Sequence, residues 1–230
     1  MVSGKRALPL VIGGVAVALL VAVVVAIGLR PTVSGPEQGK LAQEPTDAKA
    51  FLKRAALYRE AKDYDKAIAD DAKAIALEPN NATAHVERAY SYGAKHDFAA
   101  QIADDDAAIG LDAKNVAAFI DRSRAQCHKG DFDDALADAD RAIALDPNAG
   151  AAYVARATAH DGKGDYDAAI TDSTTFLNHG QSPAAYDARG LAYEKTGKAD
   201  KAIADYQAAL AAAPSDKVAK AGLERLSPAH

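Results

Sequence analysis

The chain is expected to be all-α: a solenoid of five helix-turn-helix units with a capping helix at its C-terminal end, preceded by one membrane-spanning helix. Two observations carry this. A pattern about thirty-four residues long recurs five times, and a run of twenty-three residues without a charge stands ahead of it. The repeat is marked by the pairs Ala67-Ile68, Gln101-Ile102, Ala135-Leu136, Ala169-Ile170 and Ala202-Ile203, stepping by 34, 34, 34 and 33 residues. Units of that length are supersecondary pieces that bury one face each and need their neighbours for the rest. The divisions are an N-terminal flank 1–6, a span 7–29, a linker 30–47, repeats 48–81, 82–115, 116–149, 150–182 and 183–216, and a capping segment 217–230.

Within each unit the chemistry of the positions is regular. The eighth residue is small (Ala55, Ala89, Ser123, Ala157, Gly190), as a close helix contact demands. The fourth carries a ring (Phe51, His85, Phe119, Tyr153, Tyr186), suited to filling the space between units. Gly130-Asp131 and Gly164-Asp165 offer a left-handed helix stop followed by an N-cap. Lys62-Asp63 and His96-Asp97 offer the same with a costlier first residue. Pro79, Pro147 and Pro214 close the second helix, since proline lacks the N–H that continues the ladder. In the last segment Val218, Leu223 and Leu226 lie at helical spacing among charged residues, as a polar cap on an open end requires.

The ordered pattern in Phe119 to Pro147 (a ring, a small residue, Gly-Asp-Phe-Asp, an alanine-rich stretch and Leu-Asp-Pro) resembles the tetratricopeptide repeat, and the resemblance covers about three quarters of the chain. It implies a right-handed superhelix whose first helices line a concave, protein-binding groove. On that basis Leu52, Val86, Ile120 and Val154 form an apolar stripe, continued by Asp187, with Lys53, Arg59, Tyr90 and Arg124 as orienting polar contacts. Equally open is a role for the aliphatic stripe in helix packing. The groove lacks the lysine and asparagine pattern by which some family members clamp a C-terminal carboxylate, so chaperone tails are not expected ligands.

One departure from the family pattern recurs in every copy. The seventh position, usually leucine, is Arg54, Arg88, Arg122, Arg156 or Arg189, and sixteen residues on stands Asp70, Asp104, Asp138, Asp172 or Asp205. A guanidinium fork matches a carboxylate bidentately, so these pairs are expected to form an ion-pair ladder, the alternative being a row of solvated charges. Two units are irregular. Gln101 sits in a small-residue slot. Phe176 replaces an alanine in a repeat one residue short, which predicts a changed stacking angle between the fourth and fifth units.

Ala7 to Leu29 is apolar throughout. At about 1.5 Å per residue it reaches roughly 34 Å, enough for a hydrocarbon core of about 30 Å. Its length and the Arg30-Pro31 that follows favour an anchor over a cleaved secretory signal. Lys5 and Arg6 ahead of the span, against Arg30 and the more distant Lys40 beyond it, lean towards a cytoplasmic N-terminus and a periplasmic or extracytoplasmic repeat domain. The linker, with Pro31, Pro36 and Pro45, would give a flexible reach on the order of 23 Å.

Setting aside Lys5, Arg6 and Arg30 leaves 24 basic against 32 acidic residues, a net charge of −8 beyond the span. Nucleic acid is therefore not an expected partner, and no small-molecule substrate or cofactor is indicated. Sequence motifs of hydrolases, metalloproteases and nucleotide-binding loops do not occur. Cys127 beside His128 points some 100° away from it on a helix, and reads as a structural thiol. His85 and His160 occupy slots filled elsewhere by aromatic rings and read as packing residues. Asp131 to Asp140 lacks the glycine and terminal glutamate of a calcium loop. The expected role is a non-catalytic, membrane-tethered scaffold or adaptor at a bacterial-type envelope, gripping a partner's peptide or helix in its groove. An accessory or regulatory subunit of an envelope enzyme complex is the alternative.

Overall fold

The computed structural model describes residues 44–178 and 180–226, and the span at 7–29 and most of the linker lie outside them. Among the described residues there are eleven α-helices and no strand. They run as α1 (Ala48–Glu60), α2 (Tyr64–Leu77), α3 (Ala82–Ala94), α4 (Phe98–Leu111), α5 (Val116–Lys129), α6 (Phe132–Leu145), α7 (Gly150–Lys163), α8 (Tyr166–Leu177), α9 (Pro183–Lys195), α10 (Ala199–Ala212) and α11 (Lys217–Leu226). None of these is long and apolar enough to cross a membrane.

The punctuation of the sequence becomes geometry. Asp47, Asp63, Asn81, Asp97, Asn115 and Asp165 cap helix N-termini by accepting from the N–H three residues on, at 2.8 to 3.4 Å. Asp131 occupies the same station without that bond and lies 3.2 Å from the Lys129 ammonium instead. Gly130 and Gly164 adopt φ +86° and +84°. Lys62 and His96 are held in the same left-handed region at φ +58° and +62° with side chains that disfavour it.

Each helix packs on the next, pairing α1 with α2, α3 with α4 and so on, and the pairs then stack. First helices of successive units also touch, α3 with α5, α5 with α7 and α7 with α9, whereas no second helices share an interface of that extent among the described residues. Helices closer together on one side of the stack bend it towards that side. The first helices therefore form the inner wall.

The core is built from alanines. Ala55, Ala67, Ala74, Ala89, Ala108, Ala142, Ala157 and Ala209 are fully buried, and at several places a glycine makes room for a larger group. A Cβ on Gly93 would come within 2.5 Å of Gln101 Oε1, and one on Gly150 within 1.8 Å of Phe176 Cε2. Both bulky exceptions are thus matched by a missing side chain opposite. The expected change of stacking at Phe176 is not needed to seat the ring, and α8 packs on α9 as extensively as corresponding helices do elsewhere. At the far end Tyr206 is fully buried between Gly190 and Gly222. Its hydroxyl donates to Glu194 Oε2 at 2.8 Å, and Arg225 of α11 donates twice to the same carboxylate at 2.8 Å, fastening the cap.

Candidate functional site

The seventh-position arginines all find their aspartates. In each unit Nε and Nη2 donate to the two carboxylate oxygens at 2.6 to 2.8 Å: Arg54 to Asp70, Arg88 to Asp104, Arg122 to Asp138, Arg156 to Asp172 and Arg189 to Asp205. The carboxylates are buried, so these are not solvated charges. In three units the fourth-position ring lies under the guanidinium, at 5.7 Å for Phe51, 5.6 Å for Phe119 and 5.6 Å for Tyr153, whereas Arg189 lies over Tyr193 at 5.9 Å. His85 differs, with Nδ1 3.0 Å from Asp104 Oδ1.

The remaining nitrogen, Nη1, reaches out of the unit. Arg122 donates to Asp106 at 2.5 Å and Arg156 to Asp140 at 2.7 Å, both on the second helix of the preceding repeat. Arg189 finds Thr174 in that place at 3.2 Å, and Arg54 finds Glu44 ahead of the first helix at 3.1 Å. Sequence reasoning stopped at the pairing sixteen residues forward and missed the one sixteen residues back, which the same spacing displays. A second set of ties joins Lys95 to Asp65, Lys163 to Asp133 and Lys198 to Asp167 across the turns.

The predicted groove residues divide. Arg59, Val86 and Tyr90 line one open recess of about 440 Å³ on the first-helix face, with Glu60, Glu87 and Asp121. It spans α1, α3 and α5. Tyr90 is 56 % exposed, more than any other large apolar side chain among the described residues. Arg124 is exposed and donates to Asp121 Oδ1 at 3.2 Å. Ile120 and Val154 are only 7 % and 9 % exposed, so they serve packing rather than an open stripe, and Leu52 packs on Ala48, Phe51 and Ala74. Lys53 faces a separate recess beside Glu44, Pro45 and Leu57.

The acids of this wall were not foreseen. They stand at the sixth and thirteenth positions, where reading Lys53, Glu87, Asp121 and Glu60 as a set shows the change of sign. Arg59 is already engaged, donating to Asp71 Oδ2 at 2.7 Å and lying 2.5 Å from Glu87 Oε2. Burial pushes the Asp71 carboxyl up to about 7 against the pull of Arg59, and the Asp105 carboxyl up to about 8, with Asp121 adding repulsion. Asp121 is itself raised by burial, opposed by Arg124. Asp187 is raised to about 7 by burial and by Asp216. Burial raises the Cys127 thiol to about 11, so it stays protonated and unreactive at neutral pH.

Family models described as tetratricopeptide repeat match residues 48–81, 121–173 and 183–216, together more than half of the chain. TTC0263, a thermophilic TPR protein in Thermus thermophilus, is 18 % identical with a TM-score of 0.68, over 78 % of this chain and 98 % of that one. YrrB, a TPR protein with an unusual peptide-binding site, is 20 % identical with a TM-score of 0.55, over 82 % and 95 %. The first TPR of Spaghetti (RPAP3), solved bound to the HSP90 peptide SRMEEVD, is 23 % identical with a TM-score of 0.50, over 51 % and 94 %. At these identities the likeness is one of fold. No curated protein matches the chain.

Proposed function

This chain belongs to the tetratricopeptide repeat family, and from that premise we propose that it is a non-catalytic scaffold that holds a peptide or helix of a partner protein against its first-helix wall. The observation that carries the reading is the recess across α1, α3 and α5, where an aromatic side chain stands exposed among polar groups. The family mediates protein–protein contacts, and two of the structural neighbours are described by their peptide sites. Residues 7–29 tether the solenoid to a membrane, with the repeats on the extracytoplasmic side and residues 30–47 as spacer.

Site-specific photocrosslinking in membranes tests both parts. A photoreactive residue replacing Val86, on the wall, should capture a protein partner, and one replacing the exposed Ala103 of α4 should not. Equal capture from both positions would remove the groove reading. Recovery of the protein in the soluble fraction after lysis would remove the tether.

A further inference from the structure

We propose that the recess across α1, α3 and α5 takes a basic segment of its partner, a lysine or arginine side chain entering beside Glu87 and Asp121 while its aliphatic stem lies on Tyr90. This rests on the reading of that wall as a peptide site and names the chemistry it selects.

The charge inventory points this way. Lining the recess or paired with a lining group are Arg59 and Glu60 from α1, Asp71 from α2, Glu87 from α3, and Asp121 and Arg124 from α5. Two guanidinium groups thus stand among four carboxyl groups. Both cations are committed: Arg59 is shared between Asp71 and Glu87, and Arg124 lies against Asp121. Glu60 has no ion-pair partner among the described residues, and the Glu87 side chain remains 42 % exposed. An arriving carboxylate would have to displace an existing pair. An arriving ammonium or guanidinium would complete an unfinished set.

Asp105 supplies an independent indication. It is fully buried, and neither carboxylate oxygen has a hydrogen-bond partner. It lies close enough to Asp121 for the charge there to oppose ionisation of Asp105, adding to the burial that holds this carboxyl protonated. Positive charge arriving at Asp121 relieves that opposition, whereas an arriving carboxylate adds to it. Tyr90 meets the remaining requirement, since an exposed ring held amid carboxylates is a platform for a cation and its methylene stem.

The test uses the full-length chain in non-ionic detergent and three fluorescein-labelled nonapeptides, identical in leucine and alanine, with lysine, glutamate or serine at the remaining positions. The lysine peptide should bind at least about tenfold more tightly than the other two and weaken as salt is raised. Glu87→Gln and Asp121→Asn should each lower that affinity several-fold, and Tyr90→Ala should do so at an exposed position where folding is not at stake. Thermal melts of the three variants check that the solenoid is intact.

Equal or tighter binding of the glutamate peptide overturns the proposal, as does lysine-peptide binding that all three substitutions leave unchanged. Failure of all three peptides, with crosslinks from Val86 reaching an uncharged or acidic partner segment, overturns this inference and leaves the groove reading standing. Failure of the peptides without any crosslink from Val86 overturns both.

Discussion

Asp105 shows how a single side chain can cost the fold something that no contact reveals. A carboxyl whose folded pKa lies above its unfolded value of 3.8 binds protons more tightly in the native state, so stability falls as pH rises from about 4 through about 8. Asp71 and Asp187, each raised to about 7, pull in the same direction over a slightly lower window. Glu194, lowered by Arg225, acts oppositely and loses its contribution only on acidification. Replacing Asp105 by asparagine keeps the shape and removes the charge. Melting curves at pH 9 should therefore show the variant more stable by about 1 to 3 kcal/mol, and the gain should shrink steadily as pH is lowered, with little left near pH 4. A gain of the same size at both pH values would mean that packing, not ionisation, is responsible. Lys62 illustrates a different cost, a left-handed backbone at φ +58° with a side chain attached. Lys62→Gly should stabilise the chain by roughly 0.5 to 1 kcal/mol in denaturant titrations, and a loss would mean that the lysine stem packs usefully.

Between elements, the ladder does two jobs with one residue type. Nε and Nη2 of Arg122 lock α5 to α6 within the unit, and Nη1 ties that unit to α4 of the preceding one. The two links differ in worth because Asp138 is buried and the Asp106 side chain is 56 % exposed. Arg122→Ala strands a buried carboxylate and should cost about 2 to 4 kcal/mol. Asp106→Ala breaks only a surface pair, at under about 1 kcal/mol. Chemical denaturation of both single variants and of the double measures the coupling, and an Arg122→Ala cost as small as that of Asp106→Ala would reduce the ladder to surface decoration. The notch at Gly150 makes a parallel case in apolar terms. Gly150→Ala should destabilise by about 1 to 3 kcal/mol through its collision with Phe176, and Phe176→Leu in the same chain should recover part of that loss.

At the scale of the molecule, stability is a sum over neighbouring units, so the ends and seams decide where opening begins. The end after α10 is closed by α11 through Tyr206, Glu194 and Arg225. Tyr206→Ala empties a fully buried slot and cuts the cap loose. Hydrogen exchange should then accelerate in α9 to α11 while α1 to α6 keep their protection, and uniform acceleration along the chain would show a more cooperative solenoid than nearest-neighbour contacts predict. The seams are unevenly tied. Between the third and fourth units both Arg156 to Asp140 and Lys163 to Asp133 are present. Between the fourth and fifth the corresponding polar ties are weaker, the hydroxyl of Thr174 on Arg189 and a 3.8 Å Lys198 to Asp167 pair.

Much of this architecture was legible because repetition multiplies a weak signal. One small residue says little, but five at the same station specify helix contacts, and an arginine and an aspartate sixteen apart in every copy specify a bond. What a linear pattern could not weigh was competition in space. Whether Ile120 faces a groove or a neighbour, and whether Arg59 is free to meet a ligand or already shared between Asp71 and Glu87, depends on groups brought together from different units. The order of helices and their internal bonds follow from residues near in sequence. The acidity of the wall follows from α1, α3 and α5 converging, a distance relation that only the folded stack creates.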